Sequence, residues 1–186
     1  MIDKEGYREN VAIVIINDDH KVLWAKRTNE NAWQFPQGGI KSNETIEEAM
    51  LRELKEEVGI DESKIEILGR TNDWLYYDVP KNWIRKDNNL YKGQKQIWFL
   101  LKFLGNENDI YLKNSPKPEF DNWSWVDYWK PKDEVIDFLN NNNYNLIRKL
   151  SHHDFLFEYN KALLIFLDVA IHKNHLQKLN SGDAVH

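Results

Sequence analysis

Residues 38–60 read GGIKSNETIEEAMLRELKEEVGI, and no other stretch confines the fold of this chain so tightly. Gly38 is followed by five residues, Glu44, seven more, and then Arg52-Glu53-Leu54-Lys55-Glu56-Glu57-Val58-Gly59-Ile60. At average residue usage, seven fixed identities and two apolar positions at those spacings arise at a given start with a frequency on the order of 10⁻⁹, so chance is a poor explanation. Thr45 and Glu48 have capping-box spacing, and no proline or glycine interrupts 45–58. Gly59 stands where a helix commonly ends in a left-handed residue. Ile46, Ala49, Met50, Leu54 and Val58 recur at spacings of three and four, which predicts a helix with one apolar stripe to bury.

On that helix Glu53, Glu56 and Glu57 project from neighbouring points. Like charges so placed repel by a few tenths of a kcal/mol per pair in water, and by more when desolvated. Arg52, four residues before Glu56, offsets one charge but not all of them. A hard divalent cation with oxygen ligands, Mg²⁺ or Mn²⁺, would reverse the sign. Gly38-Gly39 lets a main-chain carbonyl approach closely, so the Gly38 carbonyl with Glu53, Glu56 and Glu57 makes an oxygen ligand set with open positions. The plainer reading is a solvated acidic helix face. The fixed spacing to Gly38, Glu44 and Gly59 favours the metal.

With every defining position filled, the segment resembles the signature box of the Nudix hydrolases. That resemblance implies an α/β/α sandwich around a mixed β-sheet and Mg²⁺-dependent cleavage of a phosphoanhydride. The blocks MIDKEGYRENVAIVI, WQFPQGGI, GQKQIWFLL and PEFDNWSWVDYWKP resemble, in order, the bacterial RNA pyrophosphohydrolases, relatives of the dinucleoside polyphosphate hydrolases. The implied activity converts a 5′-triphosphate or 5′-diphosphate RNA end to a 5′-monophosphate and so initiates message decay.

Several roles follow from the resemblance. Glu119 becomes a further metal-coordinating or water-orienting carboxylate; alone, it would read as a loop surface charge. Two or three Mg²⁺ (or Mn²⁺) ions are implied at Gly38, Glu53, Glu56, Glu57 and Glu119. Glu56, Glu57 and Glu119 all remain open as the proton acceptor. Arg52 is expected to orient a box carboxylate, and Glu44 to do the same or bind metal, while Gly39 and Gly59 serve the box structurally. Arg8 and Arg27 are expected to contact the 5′-phosphates, as guanidinium forks suit phosphate oxygens. Phe138 aligns with an aromatic that stacks on a base opposite Arg8, though a helix-core role is equally open. Leu139 departs from the lysine of relatives, which puts recognition of the second base in doubt. Gln37, Gln94 and Lys95 are expected to reach the polyphosphate.

Bulk properties narrow the class. With 186 residues and 41% hydrophobic content there is room for one domain with a sizeable core. No cysteine is present, which excludes a disulfide framework, a thiolate nucleophile and a zinc–thiolate site. A net charge of −5 argues against a general nucleic-acid coat but not against gripping one RNA end with a local cationic cluster. The N-terminus has no apolar signal-peptide core, and apolar runs such as Ala162–Leu167 are only six residues long. Cytoplasmic localisation is the expectation, with no membrane association.

Strands are predicted at Asn10–Ile16, Val22–Lys26, Lys64–Leu68 and Trp74–Val79, then a loop over 81–94 and a central strand at Gln96–Leu104. Pro116-Lys117-Pro118 leads rigidly into an extended Glu119–Val126. Lys132–Leu139 is predicted helical, with Asn140–Asn143 as a connector. Most of the eight tryptophans are expected in the core, and His152, His153, His172 and His175 at the surface. Residues 1–150 form the expected catalytic domain, and 151–186 a helical extension with a disordered tail. The extension is apolar enough to need burial on the domain, on a second copy or on another protein. The competing functions are a dinucleoside polyphosphate (Ap4A-type) or nucleotide pyrophosphatase, an inactive module that binds RNA or nucleotide, and a chiefly partner-binding protein.

Overall fold

The computed structural model describes residues 2–78 and 92–131. In chain order the elements are β1 (Tyr7–Ile16), β2 (Lys21–Arg27), β3 (Trp33–Gln34), β4 (Gln37–Gly39), α1 (Ile46–Val58), β5 (Ile65–Arg70), β6 (Leu75–Asp78), β7 (Gly93–Phe103) and β8 (Phe120–Asp127). The strands form one mixed sheet with the path β3-β2-β1-β7-β5; β4 pairs with β1, β6 with β7 and β8 with β2. At its centre β1 and β7 run parallel, in register from Tyr7 opposite Gly93 to Ile16 opposite Lys102. Both carry continuous apolar runs, VAIVII and IWFLL, as strands covered on both faces must.

Alternation divides those runs between two cores. Val11, Ile13 and Ile15 join Ile97, Phe99 and Leu101 beneath α1. Ala12, Val14 and Ile16 join Trp98 and Leu100 on the opposite face, with Trp24 and Phe35. Phe35 sits edge-on to both Trp24 and Trp98. Trp123 and Trp125 pack against the helix-side core, so the tryptophans described there are packing residues, as expected. This mixed α/β arrangement is the expected fold class. The predicted helix at 132–139 and the helical extension at 151–186 lie outside the described residues, as do Phe138, Leu139 and the four histidines named above.

Local chemistry fixes both ends of α1. The Thr45 hydroxyl accepts from the Glu48 N–H while the Glu48 carboxylate accepts from the Thr45 N–H, a complete capping box. Gly59 ends the helix at φ 71°, and a Cβ there would lie 2.4 Å from the Tyr111 carbonyl oxygen. Ala49, Met50, Leu54 and Val58 are fully buried. Each of the larger ones contributes about 1.5–3 kcal/mol by leaving water. Their burial fixes the roll of the helix and turns Glu53 inward toward β4.

The central strand starts earlier than its apolar run suggests. Gly93, Gln94 and Lys95 precede the predicted strand, yet they pair with Tyr7, Arg8 and Glu9 of β1. The main-chain ladder overrides their weak strand propensity. Among the described residues, no helix is long and apolar enough to cross a membrane.

Candidate active site

Arg52 is the hub of the site. Its Nε donates to Glu44 Oε2 at 2.8 Å and its Nη2 to Glu44 Oε1 at 2.6 Å, a two-pronged pairing. Nη2 also donates to the Gly39 carbonyl at 2.9 Å, while Nη1 reaches Glu53 Oε1 at 2.6 Å and Glu56 Oε2 at 3.3 Å. One guanidinium thus ties the loop before the helix, the β4 backbone and two box carboxylates together. The Arg52 side chain is 18% exposed, and those of Glu44 and Glu53 are 12% and 11%. The Arg52 hydrogen bonds hold the Glu44 carboxyl down at about 2, and the same pairing raises Arg52 further above its ordinary value.

Glu53 lies directly under Gly38: a Cβ on Gly38 would sit 2.0 Å from the Glu53 carboxyl carbon. Only glycine admits that contact. Burial pushes the Glu53 carboxyl up, against the opposing pull of Arg52. Glu57 is pushed up further, by burial first and then by the charge of Glu53, although the Gln37 N–H donates to its Oε2 at 2.9 Å. A buried carboxylate and a half-buried one therefore lie one helical turn apart, close enough for the charge of Glu53 to be felt at Glu57. Gly38→Ala is expected to leave the thermal midpoint within a few degrees of wild type, because the intruding methyl meets a side-chain end. Displacing Glu53 should cost about 100-fold in turnover. Melting curves beside steady-state rates check both halves.

The remaining predicted residues fall around this pair. Arg27 donates to Glu119 Oε1 at 2.5 Å, to Glu30 Oε2 at 3.1 Å and to Gln34 Oε1 at 3.3 Å. The structure thus pairs an expected phosphate contact with an expected metal ligand. Glu56 is exposed, within 3.7 Å of the Lys41 ammonium. Arg8 lies over Gly39, where a Cβ would come 2.5 Å from its Nη2. Its register partner Gln94 accepts a hydrogen bond from the Asn10 amide. Lys95 is buried, its ammonium 2.8 Å from Asp3 and 3.1 Å from Glu9, above the Trp74 ring. It is committed to holding the N-terminal segment. The Gln37 side chain accepts from Gln96 Nε2 at 2.7 Å rather than pointing free. Asn10, Gln96, Asp3 and Glu9 were invisible as site neighbours in the sequence. The available signal was polar residues heading two otherwise apolar strands.

Among the described residues, no three acidic or histidine side chains are gathered closely enough to hold a metal ion. Of the four expected carboxylate ligands, Glu53 and Glu56 rest on Arg52 and Glu119 on Arg27, while Glu57 accepts from the Gln37 N–H. The donor set nonetheless fits a hard cation. It consists of carboxylate oxygens beside a glycine backbone, and the inward pair repels itself. A cation between Glu53 and Glu57 would relieve that repulsion at its source.

Comparison with known proteins extends the geometry. The sequence matches the NUDIX domain family over residues 6–150. The fold is similar to that of the E. coli dihydroneopterin triphosphate pyrophosphohydrolase, with TM-score 0.55 and 21% identity over 68% of this chain and 86% of that one. It is also similar to a C. elegans Ap4A hydrolase in a binary complex, with TM-score 0.52 and 20% identity over 84% and 98% of the two chains. A bifunctional NMN adenylyltransferase/ADP ribose pyrophosphatase from Francisella tularensis matches with TM-score 0.53 and 15% identity over 89% of this chain and 42% of that one. The inward carboxylate pair on α1, the glycine backbone beside it and the family match over most of the chain lead to one conclusion: this chain belongs to the Nudix hydrolases, enzymes that act on pyrophosphate bonds.

Proposed function

We propose that the chain is an RNA 5′-pyrophosphohydrolase, converting 5′-triphosphate or 5′-diphosphate ends to 5′-monophosphate in a reaction that needs Mg²⁺ or Mn²⁺. The observation that carries the chemistry is the Glu53–Glu57 pair, with Glu53 buried under Gly38 and the half-buried Glu57 accepting from the Gln37 N–H. What favours RNA among Nudix substrates is the ordered set of four sequence blocks resembling RNA pyrophosphohydrolases.

Glu53, Glu57, Glu56 and the Gly38 carbonyl would hold the ions, with Glu119 joining from the start of β8. When bound, the ions neutralise phosphate oxygens and acidify water for in-line attack on phosphorus. Arg52 keeps Glu53 aimed at Gly38 and is itself anchored on Glu44. Arg8 and Arg27 supply guanidinium forks for the phosphate chain. Arg27 would exchange one carboxylate contact for a phosphate. One of Glu57, Glu56 and Glu119 accepts the proton of the attacking water. Buried where water is scarce, the Glu53 charge acts more strongly than it would in bulk solvent.

The test compares 5′-triphosphate RNA, 5′-diphosphate RNA and diadenosine tetraphosphate as substrates of the purified chain with Mg²⁺, with product identification. The expected result is 5′-monophosphate RNA, with the specificity constant for RNA above that for the dinucleotide. A preference for diadenosine tetraphosphate, or indifference to RNA length, would establish the dinucleoside polyphosphate reading instead. Metal-independent binding without phosphate release would make the chain an inactive binding module.

A further inference from the structure

Gln96 lies in the sheet interior, 2% exposed, on the face opposite α1. An amide has no business there unless its hydrogen bonds do something. Its Nε2 donates to Gln37 Oε1 at 2.7 Å. The two belong to strands on opposite edges of β1, so the pair reaches across that strand. It can do so because Ala12 is the one small side chain in the VAIVII run and stands opposite Gln37 in register. On the other side of the sheet, the Gln37 backbone N–H donates to Glu57 Oε2 at 2.9 Å.

Gln37 is therefore pinned from both faces, and β4 is only three residues long. Its main chain is held on β1 from the Pro36 carbonyl to the Ile40 N–H, which leaves the Gln37 side chain to be fixed by Gln96. We propose that Gln96 is a positioning residue for the active site, locking Gln37 so that its N–H holds Glu57 and the adjoining Gly38 keeps its place over Glu53, the arrangement cation binding needs. The inference rests on the metal-dependent hydrolase reading above. It also recasts Gln37, whose side-chain amide faces Gln96 and acts through β4 rather than by touching the polyphosphate. The neighbouring amide pair is separate, with Asn10 donating to Gln94.

The variants are Gln96→Met, Gln37→Met and the double variant, since methionine keeps the length and removes the hydrogen bond. Mn²⁺ affinity is read by electron paramagnetic resonance titration without substrate, beside kcat, KM and the melting temperature. Each single variant is expected to lose about tenfold in Mn²⁺ affinity and in kcat, with KM changed less than about twofold. The double variant should be no worse than either single one, because one shared bond is being removed. Additive losses, a KM effect confined to Gln37→Met, or wild-type Mn²⁺ affinity in Gln96→Met would overturn the proposal. Should Gln96→Met fail to fold, the half-exposed Gln37→Met decides alone by the same readouts. Wild-type protein that neither binds Mn²⁺ nor turns over refutes the hydrolase reading itself, which separates the two failures.

Discussion

Glu53→Gln is expected to lose at least about 100-fold in turnover while melting at or above the wild-type temperature. The size follows from position. Even groups that only support metal ligands cost about 10–100-fold when removed, and Glu53 is the buried carboxylate closest to the Gly38 backbone. The stability sign follows from burial. The folded-state value of Glu53 is raised, so its ionised form costs stability as the pH rises above the ordinary carboxylate range near 4.5. A neutral amide removes that cost at neutral pH and still accepts from Arg52. Glu57→Gln should behave alike, with one amide oxygen left for the Gln37 N–H. Rates with Mg²⁺ alongside thermal melts decide it. A variant that lost activity only because it unfolded, or one within about threefold of wild-type turnover, would remove Glu53 from the site.

Arg52→Met acts in the opposite sense and should cost about 3 kcal/mol of unfolding free energy. The substitution strips the fork from Glu44, a donor from the Gly39 carbonyl and, among the described residues, the one side-chain hydrogen bond to Glu53. Breaking a largely buried ion pair on one side leaves its partner uncompensated, at about 3–5 kcal/mol. Arg52→Lys keeps the charge but not the planar fork and should fall between. A pH signature accompanies the loss. Glu44 is lowered in the folded state from 4.5 to about 2, so its contribution is present above 4.5 and disappears as the pH falls toward 2. Urea unfolding across that window should show wild-type stability declining toward the variant's. A constant gap between the two proteins down to pH 2 would mean that Arg52 stabilises by packing instead.

What the sequence disclosed and what it hid divide along the distance over which each feature is encoded. The ends of α1 were legible because Thr45, Glu48 and Gly59 act within a turn of themselves. The inward turn of Glu53 was half legible: the stripe Ala49, Met50, Leu54, Val58 implies a buried face, but only the packing on β4 places Glu53 at its edge. Arg52 presents a similar case. Its four-residue spacing pointed to Glu56, which it reaches at 3.3 Å, and the fold adds Glu44 and the Gly39 carbonyl, brought near by the turn before the helix. The setting of Gln94 and Lys95 was obscured because the β1–β7 pairing joins segments more than eighty residues apart, and the polar start of β7 reads as loop until that ladder is known. The Arg27–Glu119 pair spans a similar separation and was readable only as two separate roles. Substrate class leaves the faintest local trace, since Nudix chemistry is shared and the groups that choose a substrate are spread over several strands and loops.

The central claim is that the inward carboxylates of α1 bind divalent cations beside the Gly38 carbonyl. A crystal soaked in Mn²⁺ and measured at the manganese edge tests it most directly. The account predicts an anomalous peak within bonding distance of Glu53 and Glu57, with Arg52 retained on Glu44. Anomalous density absent from that position in a crystal of protein that hydrolyses pyrophosphate bonds with Mn²⁺ would contradict it.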